Sequence, residues 1–522
     1  MTATDELSVG KAAALRFGTP GAKYAALVVL RGRAGSMPAL TAIVALGGLL
    51  RLWALDAVGF NSDEAVYAGQ AAALGGVADL STLFPLFRAH PLLFQSALSL
   101  LYALGTGDMA ARAFVAVLGV ATVVSVFHLG RRLYGERVGL VAALLLAVMP
   151  YHVGVSRQVL LDAPMTFLAT AALVVFARFA TDRSTRSLVA AGGLFGLTIL
   201  TKETAVLVVG GIVLFFVFYP GLRPGRRAAA AALVALVLPA AAFPLSLQFA
   251  GRTSTGHSYL LWQLFRRPNH DFAFYLQIVP PALGLLPLAA AAAGLWLLRG
   301  SASWREGLLG CYVAVPVLFF ELWPTKGYQY LLVAAPVVAV LAARALVLIP
   351  LPDRPRLLRP VAVLVVAASL LVPSWAIVEP APTTTFLAGS GGLPAGREMG
   401  RWIDTNIPLG ARVMTIGPSQ ANVVRFYGKR PAFGLSVSPN PLSRNPSYEP
   451  IDNPDRELRQ GAIHYVVWDA YTAARTPFFA DRLMSYVRKY YGVVLHTETV
   501  RLRDSDGGLV DKPVMTVFEV RP

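Results

Sequence analysis

Long apolar stretches, interrupted at short intervals by small clusters of arginine, run through the first 378 residues of the chain. A helix that crosses a bilayer needs roughly 20 mostly apolar residues. Runs of that kind lie near 37–55, 109–130, 138–156, 161–180, 188–201, 203–219, 228–249, 273–298, 307–323, 328–349 and 360–378. One further run, Pro91 to Leu104, is shorter and suits an interfacial or re-entrant helix better than a span. After Val378 the pattern changes to short stretches of alternating type. Strands are expected at Arg412–Ile416, Ile463–Trp468, Val493–Val500 and Val514–Val520, and helices at Gly396–Thr405, Ser419–Tyr427 and Pro477–Tyr490. That is the pattern of a small α/β domain with a Rossmann-like layout. The Pro-rich stretch Asn440–Pro454 reads as a long surface loop, and the domain carries no glycine fingerprint for a dinucleotide.

Composition agrees with this reading. Of 522 residues, 56% are hydrophobic and only 14% charged, against about 25% charged in an ordinary soluble domain. Disorder, a fibrous repeat and a soluble enzyme are all excluded. The formal charge of +17 would suggest nucleic acid in a soluble protein. Here it is better explained by basic loops that orient helices in a membrane, so no nucleic-acid partner is expected. A single cysteine, Cys311, leaves no intramolecular disulfide framework.

The same charges orient the chain. If 91–104 does not cross, Arg131, Arg132 and Arg137, Arg223, Arg226 and Arg227, and Arg354, Arg356 and Arg359 all fall on one side, together with the basic N-terminal tail. The positive-inside rule then predicts about eleven spans, with the N-terminus inside and the C-terminus outside. Lys11, Arg16, Lys23, Arg31 and Arg33 precede the first apolar run, and no small-residue cleavage site follows it, so that run is expected to be an uncleaved span. The expected fold class is therefore an α-helical polytopic membrane protein with a C-terminal extracytoplasmic α/β domain. Its parts are a cytoplasmic tail at 1–36, a membrane domain at 37–378 with a first outer loop at 56–108, and the outer domain at 379–522.

This topology gathers unusual polar residues at the outer side. They are Asp63, Glu64 and Tyr67 in FNSDEAVYA, Arg88 and His90 in FRAHPLLF, Arg157 and Asp162 in SRQVLLDAP, Lys202 and Glu203 in LTKETA, and Lys326, Tyr328 and Tyr330 in PTKGYQYLL. Ionisable groups at membrane depth cost about 2.5–3.5 kcal/mol each, so their convergence suggests a site. Each has a structural alternative. Asp63 and Glu64 could cap a juxtamembrane helix. Arg88, Arg157, Lys202 and Lys326 could hold lipid head groups. Asp162 could pair with Arg157, and the tyrosines could be interfacial aromatics. His90, His152, His257 and His270 match no strong metal-ligand spacing.

The order of these motifs, with GRRLYG at an inner turn, resembles the C-type superfamily of polyprenyl-phosphate-sugar-dependent glycosyltransferases. The likeness is to the branch of protein O-mannosyltransferases and lipid A aminoarabinose transferases, and it covers about residues 37–350. Many relatives carry KPP or HPP where this chain has His90-Pro91-Leu92. The resemblance implies transfer of a sugar from a lipid-linked phosphate donor to a hydroxyl acceptor outside the membrane, by a single inverting displacement. It implies Asp63 as the general base; among the catalytic carboxylates, Glu64 is its neighbour and backup, and Asp162 would orient an acceptor or donor hydroxyl or hold Arg157 in place. Arg88, Arg157, Lys202 and Lys326 suit a departing lipid phosphate. Tyr67, His90, Glu203, Tyr328 and Tyr330 would contact substrate. With so many cations no metal or cofactor is expected to be required. A transporter or flippase is the alternative, but no paired halves with broken helices are evident. A noncatalytic lipid-sugar binder is a second, and it would tolerate Asn at position 63.

Overall fold

The computed structural model describes residues 20–86, 90–350, 357–379, 392–503, 506 and 508–521; for 20–35, 253–256, 260, 502 and 503 only the backbone is described. The chain is mostly helical up to Val378 and ends in a five-stranded sheet with flanking helices.

Four described helices are long and apolar enough to cross a membrane: Asp108–Tyr134, Asp162–Asp182, Arg226–Phe249 and Leu358–Val378. A fifth candidate is a bent pair, Phe274–Leu283 and Leu285–Leu297, which turns by 91°. The bend has a local cause. Pro280 and Pro281 weaken the end of the first helix, and Gly284 takes φ +90°, where a side chain would also strike Leu370. Shorter apolar helices fall at Ser36–Leu52, Thr185–Thr201, Glu203–Phe218 and Ala334–Leu348. The expected run at 138–156 is broken into Glu136–Ala147 and Pro150–Val155, because Pro150 supplies no N–H to continue the first helix. The ambiguous 91–104 run forms one short helix, Leu93–Ala103, packed on the Ser62–Leu74 helix.

Small residues let the helices close up. Gly130 and Gly139 bring the Asp108–Tyr134 and Glu136–Ala147 helices into backbone contact, and a Cβ on Gly130 would lie 2.9 Å from Gly139 Cα. Arg51 is fully buried in this bundle, and its guanidinium donates to the Gly47, Ala147 and Leu146 carbonyls and to Ser156 Oγ. Such dense hydrogen bonding is what makes a buried guanidinium tolerable.

The sheet orders its strands β2-β1-β3-β5-β4, with β1 Val413–Thr415, β2 Ala432–Gly434, β3 Tyr465–Asp469, β4 Val493–Arg503 and β5 Leu509–Glu519. The first three are parallel; β5 runs antiparallel to both β3 and β4. The parallel part is thus Rossmann-like, while the other half is a hairpin. Strand β2 and the helices Pro454–Arg459 and Ala470–Arg475 are additions to the expected elements. Each is short, with too little periodicity to stand out in the sequence.

The two parts are tied at several points. Arg397 Nη2 lies 2.6 Å from Asp108 Oδ2. Tyr427 Oη accepts from the Phe60 N–H at 2.9 Å and donates to Asp108 at 2.8 Å. Phe60 packs against Phe426 with ring centroids 5.1 Å apart.

Candidate functional site

The site is organised by the start of the Ser62–Leu74 helix. Asn61 caps it, its side chain accepting from the N–H groups of Asp63 and Glu64 at 3.0 Å. Glu64 reaches back to the Asn61 N–H at 3.0 Å, completing a capping box. Glu64 also pairs with Arg112 at 2.7 Å and accepts from the Val159 N–H at 3.0 Å. With its neighbour anchored inward, Asp63 is left facing a cavity of about 980 Å³.

That cavity collects most of the expected residues. Asp63, Tyr67, His90, Asp162, Lys202, Glu203 and Tyr330 all line it. Lys202 Nζ lies 2.6 Å from Asp162 Oδ1 and 4.7 Å from the Tyr330 ring centroid. Local structure explains the pair. Asp162 opens its helix, where a carboxylate meets unpaired N–H groups. Lys202 is extended, with φ −154°, and breaks the chain between the Thr185–Thr201 helix and a short 3-10 turn. His90 Nδ1 sits 2.9 Å from Glu203 Oε2, and its ring lies between Tyr67 and Tyr259, with centroids 6.0 and 5.8 Å away.

The Asp63 side chain is exposed to the cavity, yet the cavity itself is sunk in the protein. Loss of bulk water raises its carboxyl above the ordinary range; His90 and Lys202 pull it down, while Asp162 and Glu64 push it further up. A carboxylate with a raised affinity for protons is the type a general base requires.

Four expected site residues are placed elsewhere. Glu64 is fully buried, committed to Arg112 and the helix cap, and does not reach the cavity. Arg157 donates to the carbonyls of Leu50 and Arg51 at 3.0 and 3.2 Å; it ties the first helix to the 150s segment and does not pair with Asp162. Lys326 is buried against the Glu321 and Phe320 carbonyls, 3.6 Å from the Glu321 carboxylate and over the rings of Phe272 and Tyr275. Tyr328 packs on Tyr151, whose hydroxyl donates to the Tyr328 carbonyl. Arg88 lies outside the described residues.

Other lining groups were not singled out from the sequence. Tyr259, Trp262 and Arg266 come from the Thr253–Phe265 helix and the residue after it, and Phe319 and Trp323 supply an apolar wall. Arg266 lies 4.4 Å from the Trp262 ring centroid. Their sequence signal was weak, since a Tyr/Trp/Arg cluster after a span also reads as an interfacial belt. The α/β domain closes the cavity from above with the segments after β1, β2 and β3 and with residues 443–448. Among the described residues no three His, Cys, Asp or Glu side chains gather as a metal would require.

Comparison with known proteins finds similarity in part of the sequence and in the fold. Residues 89–246 match the family model of dolichyl-phosphate-mannose-protein mannosyltransferases, a segment that holds His90, Asp162, Lys202 and Glu203 but not Asp63. Over 235 residues the chain is 34% identical to undecaprenyl phosphate-alpha-4-amino-4-deoxy-L-arabinose arabinosyl transferase 1 of Sodalis glossinidius. That match spans 41% of this chain and only 40% of the relative. The fold is shared more widely. ArnT of Cupriavidus metallidurans superposes with a TM-score of 0.68 at 15% identity, covering 93% of this chain and 98% of that one. Its form bound to undecaprenyl phosphate gives 0.64 at 16% identity, covering 91% and 97%. The oligosaccharyltransferase AglB of Archaeoglobus fulgidus gives 0.57 at 13% identity, covering 92% and 74%. The resemblance to the C-type glycosyltransferase superfamily thus holds in sequence and in fold. Within it, the chain resembles the lipid A aminoarabinose transferase-like branch over those 235 residues.

Proposed function

We propose that the protein is a membrane glycosyltransferase. It moves a sugar from a polyprenyl-phosphate donor to a hydroxyl acceptor on the outer face of a bacterial cytoplasmic membrane. The observation that carries this reading is the cavity itself, where Asp63 faces the Lys202–Asp162 pair with an apolar wall on one side and the α/β domain above. Undecaprenyl phosphate in a protein of the same fold supports the donor class.

In the reaction, Asp63 takes the proton of the acceptor hydroxyl as that oxygen attacks the anomeric carbon. The bond from that carbon to the lipid phosphate breaks, and charge grows on the phosphate oxygen. Lys202 and Arg266, both on the cavity wall, are the cations that stabilise it. Asp162 holds Lys202 in place, and Glu203 holds His90 against the sugar. One displacement inverts the anomeric centre. The lipid tail leaves between Phe243, Phe319 and Trp323 towards the bilayer. No metal is required in this scheme. In the same reading the chain crosses the membrane about eleven times, with 1–36 inside, 37–378 as the membrane domain and 379–522 outside.

The test uses the full chain in nanodiscs with an undecaprenyl-phosphate-linked sugar and a crude envelope acceptor fraction. Asp63→Asn should retain undecaprenyl phosphate at wild-type affinity and transfer sugar about 10²–10⁴-fold more slowly. Normal transfer by Asp63→Asn would remove the base, and absence of undecaprenyl phosphate binding by the wild type would remove the donor.

A further inference from the structure

Gln158 belongs to the same SRQVLLDAP segment as Asp162, and the reaction above leaves it without a role. Its side chain is wholly buried and lies off the cavity wall. Its Nε2 donates to the Gly154 carbonyl at 2.9 Å, and its Oε1 accepts from the Nδ2 of Asn61, 97 positions away in the chain, also at 2.9 Å. Asn61 lines the cavity and turns its Oδ1 to the N–H groups of Asp63 and Glu64. Two amides in series thus join the segment that carries Asp162 to the helix start that carries Asp63.

The two ends of this relay dictate its direction. A peptide carbonyl only accepts and a peptide N–H only donates. The Gly154 carbonyl takes the NH2 of Gln158, which leaves Oε1 for Asn61. That oxygen takes the NH2 of Asn61 and leaves Oδ1 for the helix N–H groups. Asn61 is itself buried, and a buried NH2 without an acceptor is costly. Once Gln158 is removed, the Asn61 amide turns in search of another acceptor, and each turn takes Oδ1 away from the Asp63 N–H. Glu64 does not depend on the relay. It keeps Arg112 at 2.7 Å and the Val159 N–H at 3.0 Å, so the two segments stay joined and Asp63 is the group that shifts.

We propose that Gln158 is a positioning residue for the base: it fixes which way the Asn61 amide points and so holds Asp63 in place against the Lys202–Asp162 pair. This assignment rests on the transferase reading above. The test uses the full chain in nanodiscs with an undecaprenyl-phosphate-linked sugar and a crude envelope acceptor fraction, with rates taken per folded molecule. Gln158→Met fills a similar space without an amide. It should lower kcat by about 10–100-fold, with KM for the donor and undecaprenyl phosphate affinity near wild type. Asn61→Ser caps the same N–H groups with a hydroxyl that needs no Gln158, and it should keep measurable transfer. In that background the further change Gln158→Met should alter kcat by less than about twofold. An unchanged kcat in Gln158→Met, an equal loss in both backgrounds, no transfer by Asn61→Ser, or loss of undecaprenyl phosphate binding together with transfer would each overturn the proposal. Absence of transfer by the wild type itself would instead remove the transferase reading.

Discussion

Lys202 and Asp162, 40 positions apart in the chain, form an ion pair of 2.6 Å in which both side chains are almost wholly buried. Removing one partner of a buried pair costs about 3–5 kcal/mol, because the other charge is left uncompensated. Lys202→Ala should therefore lower stability by about that amount and also weaken undecaprenyl phosphate binding. The double variant Lys202→Met with Asp162→Asn removes both charges and should recover most of the stability but not the affinity. Denaturation midpoints and undecaprenyl phosphate titrations on the two proteins separate the roles. Wild-type affinity in the double variant would show that Lys202 does not meet the phosphate.

Glu64 should behave in the opposite sense to its neighbour. Glu64→Gln leaves the Arg112 guanidinium buried without its carboxylate and should destabilise by about 3–5 kcal/mol. The rate per folded molecule should stay within a few-fold of wild type. Asp63→Asn should lower the rate by about 10²–10⁴-fold with no such loss. Activity normalised to the folded fraction decides between them.

The raised Asp63 carboxyl makes two linked predictions about pH. The base works only when ionised, so transfer should fall on acidification at a pH above the ordinary carboxylate value of about 3.9. Stability carries the reverse sign. A carboxyl whose folded pKa is raised contributes stability at low pH and loses it as pH climbs through that pKa. Asp63→Asn should thus be the more stable protein at neutral pH, and its advantage should shrink on acidification. Melting curves across pH show whether it does; a variant less stable than wild type at pH 7 would contradict the burial argument.

The Arg397–Asp108 contact holds the α/β domain over the cavity. Arg397→Ala should remove a charge-assisted hydrogen bond of about 1.5–3 kcal/mol and loosen that interface. Amide exchange should quicken in the Gly396–Asn406 and Pro418–Tyr427 helices, while the Asp162–Asp182 helix stays protected. Faster exchange throughout would mean the whole fold had weakened instead.

Much of this was legible in the chain. Apolar runs and arginine clusters identify helices and loops because burial and lipid both demand continuous apolar faces. The α/β composition after Val378 was visible for a similar reason, as was the convergence of Asp63, His90, Asp162, Lys202 and Tyr330 from five separate motifs. Adjacent residues were harder. Asp63 and Glu64 have the same chemistry and differ by one step along a helix, about 100° around its axis. Only the cap at Asn61 and the position of Arg112 send one inward and the other to the cavity.

The sequence by itself determined which segments are apolar, where charge collects and which residue types are available for chemistry, because those depend on local composition and period. Tertiary structure alone decided the pairings. Asp162 was free to choose Arg157 five residues away and took Lys202 instead, since Arg157 spends its donors on the carbonyls of Leu50 and Arg51. Lys326 likewise turned to the Glu321 and Phe320 carbonyls. A long cation settles on whichever acceptors the packed helices leave nearest. That depends on contacts between segments far apart in the chain, which no local pattern encodes.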